Sequence, residues 1–133
     1  MTRSEDWPER LDAYVQRCAR TPFQYGVHDC CTMASDWVME CTGVDPMIAW
    51  RGEYRTATGA RRLIEKAGGL EAMVSSMLGA PIPAAFAQRG DVIMMDLSLG
   101  QTMGIVLGTN AAFPGLDGVE FRLIALDSKV WKI

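Results

Sequence analysis

The spacing of apolar residues changes at Arg89. Before it, they recur in steps of three and four; after it, they come in short blocks divided by Gly, Asp, Asn and Ser. The first spacing lines one face of a helix, and the second suits short strands. A chain with its helices first and its strands second predicts an α+β fold, with an antiparallel sheet packed against the helices. Its length of 133 residues suits a single domain, residues 1–133, with one ordinary core. There is no internal repeat, linker or low-complexity segment.

The helical half divides at its turn residues. Pro8 suits a first helical turn, with Asp6 or Ser4 as cap, and Leu11, Tyr14, Val15 and Cys18 follow at helical spacing until Thr21-Pro22. Asp29 is the candidate N-cap of a second helix whose apolar side runs through Cys30, Ala34, Trp37, Val38 and Cys41, closed by Gly43. After an irregular stretch containing Trp50 and Tyr54, Thr58 opens a third helix that ends at Gly68-Gly69. A short fourth carries Leu70, Met73, Val74, Met77 and Leu78 up to Gly79. The strand-like segments are Asp91–Leu97, Gly104–Leu107, Val119–Leu126 and Lys129–Ile133, divided by Gly-Thr-Asn, Gly-Leu-Asp-Gly and Asp-Ser turns.

Composition excludes several classes. No stretch reaches the roughly 18–20 apolar residues of a membrane span. Net charge is −3 with no block of Lys or Arg, which argues against nucleic acid, since phosphate binding needs concentrated positive charge. Arg51, Arg55, Arg61, Arg62 and Lys66 alternate with Glu53 and Glu65 and read as a solvated face. The segment Met1–Asp6 lacks the apolar core of a signal peptide, so the four cysteines, Cys18, Cys30, Cys31 and Cys41, are expected to be thiols. No C-x-x-C pair occurs, so the usual zinc spacing is missing. A metal or iron–sulfur site assembled in space stays open as an alternative, and no cofactor is assigned. The nine methionines read first as core filling and second as an adaptable contact surface. The Pro-rich stretch Ala80–Ala87 is a candidate docking loop.

The segment that could carry chemistry is His28-Asp29-Cys30-Cys31. A cysteine in the first turn of a helix faces unpaired backbone N–H groups and the positive end of the helix dipole. Both favour the thiolate, which is the nucleophile. Against this stands the simpler reading that Cys30 packs in the core as a small apolar residue. His28, the one histidine, is the only imidazole available as a base for Cys30. Its other reading is structural, its ring bonded to nearby backbone or packed beside Trp37 or Tyr25. Cys30 and Cys31, adjacent at a helix start, diverge by about 100°, so only one can face a given pocket.

Asp29-Cys30, then Arg89-Gly90-Asp91 with the apolar run Val92–Met95, then Thr102-Met103-Gly104-Ile105 ending at Gly108, together resemble the NlpC-type branch of the papain-like cysteine peptidases. Those proteins show an Asp-Cys pair opening a helix, a Gly-Asp with an apolar strand, and a strand beginning His-Val-Gly-Ile. The resemblance implies a papain-like domain over residues 1–133, with Cys30 as the nucleophile. The family's general base falls on Thr102, which cannot take a proton from a thiol at neutral pH.

A narrower resemblance spans roughly Trp7 to Trp131. His28-Asp29-Cys30, Trp50–Tyr54, Thr58–Arg61, Gly90-Asp91, Gly104-Ile105 with Gly108, and Val130-Trp131 together resemble a family of small proteins from the tail-gene regions of tailed bacteriophages and prophages. It implies a component of the tail tip, or a factor in virion assembly, built on a pseudoenzyme scaffold. The protein is then expected to be made in the host bacterial cytoplasm, to end in the virion tail, to bind other phage tail proteins, and to touch the cell wall transiently. The alternative it leaves open is an active cysteine hydrolase on peptidoglycan, with catalytic residues Cys30 and His28.

Overall fold

The computed structural model describes residues 1–98 and 100–133. Four helices come first, α1 (Trp7–Cys18), α2 (Cys30–Thr42), α3 (Ala57–Lys66) and α4 (Leu70–Leu78). Six strands follow, β1 (Ile82–Pro83), β2 (Val92–Leu97), β3 (Gly100–Val106), β4 (Asn110–Gly115), β5 (Gly118–Leu123) and β6 (Lys129–Trp131), with a 3-10 turn at Ala84–Phe86. They form one antiparallel sheet in the order β1-β6-β2-β3-β4-β5. The expected α+β class, helices first and sheet second, is what the chain forms.

The helices cover one face of the sheet. Cys31, Ala34 and Val38 of α2 pack with Leu70 and Val74 of α4 on Val92, Met94, Met103 and Trp131. Leu11, Tyr14 and Cys18 of α1 pack with Met33, Trp37 and Cys41 of α2 on Ile105 and Ala112. α2 therefore lies at the centre of the molecule and buries most of its circumference rather than one stripe. The opposite sheet face carries Ile93, Met95, Val106, Ala111, Phe113 and Val130, covered in part by Ala84 and Ile82. The stretch Ala80–Ala87 contributes a short strand and a buried Ala84, while Ala80, Pro83, Ala85 and Phe86 are exposed.

Sequence and structure differ at several elements. α3 starts at Ala57, not Thr58, because the Thr56 side chain accepts from the Gly59 N–H at 3.0 Å and caps it. Asp6 caps α1 by position only; its carboxylate pairs with Arg10 at 2.8 Å instead. β4 lies where the sequence marks no strand-like segment, between the Gly-Thr-Asn and Gly-Leu-Asp-Gly turns. Its sequence Asn-Ala-Ala-Phe-Pro-Gly has low strand propensity, and the partners β3 and β5 hold it in place. Arg51 is no solvated residue: it bridges Asp45 at 2.6 Å and Asp36 at 2.5 Å, pinning the irregular stretch before α3 to α2.

Gly104 shows how closely the strands meet. A Cβ there would lie 2.5 Å from the Ala112 carbonyl oxygen and 2.6 Å from the Phe113 ring. The Gly90-Asp91 pair fixes a turn, as its place before a strand suggests. Asp91 is fully buried and accepts from Gln88 N at 2.9 Å, from Ile133 N at 3.1 Å and from the Arg3 guanidinium at 2.9 Å. The Trp37 indole donates to the Gly90 carbonyl at 2.8 Å, tying α2 to the same turn.

Candidate functional site

The start of α2 is built around a buried carboxylate. Asp29 is extended (φ −125°, ψ −172°) and closes a capping box with Thr32. The Thr32 N–H donates to Asp29 Oδ1 at 2.9 Å, and the Asp29 N–H donates to Thr32 Oγ1 at 2.7 Å. The other oxygen, Oδ2, accepts from the Gly26 N–H at 2.8 Å and from the Tyr54 hydroxyl at 2.5 Å. Gly26 needs its left-handed backbone here (φ +83°), and a Cβ would lie 2.5 Å from the Tyr54 carbonyl oxygen. Burial and the Asp29 carboxylate both push the Tyr54 phenol up, so it stays protonated and donates.

Cys30 follows as the first residue of the helix and is half-buried, while Cys31 is buried in the core. The two adjacent thiols divide one role. The Cys31 thiol and the Met103 backbone N–H both favour the Cys30 thiolate and hold Cys30 below the ordinary thiol range, against the effects of burial and the Asp29 charge. Cys31 is pushed well above that range by the same neighbour and by burial, so it keeps its proton. Of the pair, Cys30, the less buried residue and the one beside β3, is the one whose thiolate is favoured.

Thr102 pairs with Met95 across β2, whereas the next residue, Met103, pairs with Met94. Met94 and Met103 pack with α2, and Met95 belongs to the core on the other face. Thr102 therefore sits on the sheet face away from α2, and its hydroxyl donates to the Gly100 carbonyl at 3.0 Å. His28 is buried. Its backbone bridges to Gln24, and its ring Nε2 has no hydrogen-bond partner. Burial pulls its pKa down, against the charges of Asp36 and Asp29.

A profile of the family described as Domain of unknown function (DUF6950) matches residues 2–133. The chain belongs to that family. No curated protein matches it.

In this DUF6950 protein, Asp29, Cys30 and Cys31 come together at the helix start as the sequence leads one to expect, but His28 makes no bond to the thiolate. Among the described residues no group of three or more His, Cys, Asp or Glu side chains is placed to hold a metal ion. Cys18 and Cys41 lie in the core between α1 and α2, and Cys31 in the one beneath α4. No helix of the described residues is long and apolar enough to cross a membrane. A cavity of about 150 Å³ opens elsewhere, lined by Glu71, Asp96, Gln101, Asp127, Ser128 and Lys129, and Cys30 is not part of its wall. Sequence reasoning missed two participants. Tyr54 sits in an irregular stretch with no periodicity to mark it, and the Met103 N–H is a backbone group that only the strand placement reveals. An Asp-x-x-Thr spacing was the available signal for the capping box.

The arrangement supplies a stabilised thiolate and a nearby N–H donor. Hydrolysis by a thiolate also needs a group that protonates the leaving amine. His28, the one histidine, has its Nε2 without a hydrogen-bond partner and so makes no such contact to Cys30 through it.

Proposed function

We propose that this DUF6950 protein is a structural or assembly component of a bacteriophage tail tip, built on an NlpC-type, papain-like scaffold that no longer hydrolyses its substrate. The reading is carried by the pairing of an intact helix start, Asp29-Cys30, with a β3 that offers Cys30 no base: the resemblance puts the base at Thr102, and Thr102 lies on the sheet face away from α2. Two further features support it: the Asp29 carboxylate is fully engaged in capping, and His28 is buried with its Nε2 unpartnered. The site keeps the architecture of a nucleophile and lacks its proton donor. The role rests on contacts with neighbouring tail proteins, in a protein made in the bacterial cytoplasm and carried into the virion tail.

A second reading, a peptidoglycan hydrolase using Cys30, is favoured by one observation, the lowered pKa of that thiol. One experiment separates the two. Purified protein and its Cys30→Ala variant are incubated with muropeptides, and the products are followed by chromatography; in parallel, the gene is deleted from a phage that carries it. The tail reading expects no cleavage and particles with missing or defective tails, rescued equally by wild type and Cys30→Ala. Cleavage that depends on Cys30 overturns it and establishes the hydrolase.

A further inference from the structure

The two edges of the sheet are built differently. β1 is two residues long, contains Pro83 and follows Pro81, features that blunt an edge against further pairing. β5, at the other edge, is six residues long, has no proline, and pairs only with β4.

The register of the β4–β5 hairpin fixes which backbone groups of β5 are free. A two-residue loop, Leu116-Asp117, joins the opposed pair Gly115 and Gly118. Such a loop closes on a hydrogen-bonded pair. The even-numbered residues of β5 therefore bond inward to β4, and Ile124 continues the series by donating to Thr109 O at 3.0 Å. Val119, Phe121 and Leu123 then direct their N–H and C=O groups outward.

The side chains match the same arithmetic. Val119, Phe121 and Leu123 share one face, with Phe121 54% and Leu123 76% exposed. Glu120 and Arg122 share the other, each about half exposed and bridged to each other at 3.2 Å. We propose that β5 is a self-complementary edge through which two copies of this chain pair antiparallel about a two-fold axis at Phe121. This register uses every outward N–H and C=O of Val119, Phe121 and Leu123. It sets Phe121 against Phe121 and Val119 against the second copy's Leu123. It also sets Glu120 opposite the second copy's Arg122, and Arg122 opposite the second copy's Glu120, at the non-hydrogen-bonded positions where side chains approach most closely. A register displaced by two residues loses the double charge match. The contact is isologous, with the same patch on both copies, and makes one sheet continuous across the pair.

The test is sedimentation velocity of the full chain from micromolar to millimolar concentration, with two charge variants. Glu120→Arg places Arg against Arg at both symmetric positions, and Arg122→Glu places Glu against Glu. Each is expected to weaken the dimer about tenfold or more, while an equimolar mixture of the two recovers a heterodimer close to wild-type strength. Both side chains are solvent-exposed, so each variant keeps the thermal midpoint of the dilute wild type. Hydrogen exchange gives a second readout: the Val119, Phe121 and Leu123 amides become protected as concentration rises. A wild-type chain that stays monomeric at millimolar concentration overturns the proposal. So does a dimer that both charge variants leave intact, or exchange at those three amides that ignores concentration.

Discussion

The Tyr54 hydroxyl donates to the same Asp29 oxygen that accepts from the Gly26 N–H. One carboxylate thus joins the stretch before α3, the loop before α2 and the first turn of α2. Tyr54→Phe removes one bond to a charged acceptor and is expected to cost about 1.5–3 kcal/mol. Asp29→Ala removes the cap and orphans the phenol, costing about 2–4 kcal/mol. Urea titration of both variants and of the double variant checks this; the double should cost clearly less than the sum, because the two groups share one bond.

Cys30 is expected to be the first of the four thiols to react with iodoacetamide in the native protein. Its reactivity should rise at a lower pH than that of a free cysteine, because the Cys31 thiol and the Met103 N–H favour its thiolate. Cys31→Ala removes one of those donors and should move the profile to higher pH. Peptide mapping of the alkylated protein reads both effects; a Cys30 that stays silent until the chain unfolds contradicts the assignment.

His28 carries a pH dependence with a definite sign. Burial lowers its pKa in the folded state, so the unfolded chain binds the proton more readily. Its contribution is therefore fully present above the unfolded value of about 6.5 and is lost as pH falls below it. His28→Gln, which cannot take the proton, should be less destabilised than wild type between neutral pH and pH about 5. Denaturant midpoints across that window measure the difference.

Gly104→Ala is expected to destabilise the sheet by about 1–3 kcal/mol. The added carbon meets the Ala112 carbonyl and the Phe113 ring, neither of which can swing aside. A lowered thermal midpoint is the readout, with Gly108→Ala as a contrasting case. Gly108 has open space around its Cβ position, so any loss there comes from its positive φ alone.

Arg3→Ala should be among the more damaging single changes, at about 3–5 kcal/mol. It leaves Asp91, fully buried, without the guanidinium that faces it at 2.9 Å. Arg3→Lys should recover part of the loss, since Lys restores the charge but not the separate bonds to Ile133 O and Arg89 O. Chemical denaturation distinguishes the pair.

The helices were legible because each carries its own punctuation. Pro8, Asp29 with Gly43, and Gly68-Gly69 mark ends by local backbone chemistry, and the apolar spacing between them does not depend on distant residues. β4 was not legible for the opposite reason: Ala111, Ala112 and Pro114 prefer no strand, and only pairing with β3 and β5 makes them one. The site shows the same division. Asp29 and Cys30 announced themselves as cap and first turn. Tyr54 and the Met103 N–H reach that turn through folds of the chain that no local spacing encodes. Arg51 was misread because its partners, Asp36 and Asp45, lie at separations with no helical or strand meaning.

The place of β6 has a consequence for how the chain reaches this state. Residues 129–131 lie between β1 and β2, which precede them by more than thirty positions. The floor on which Cys31, Leu70 and Val74 rest includes Trp131. The cysteine-bearing helix therefore cannot reach its final packing as a chain grows from the ribosome until that distant segment has emerged. Such non-local closure slows folding and leaves apolar helix faces open in the meantime, so the interval before β6 inserts is when this protein is most exposed to proteases and to aggregation.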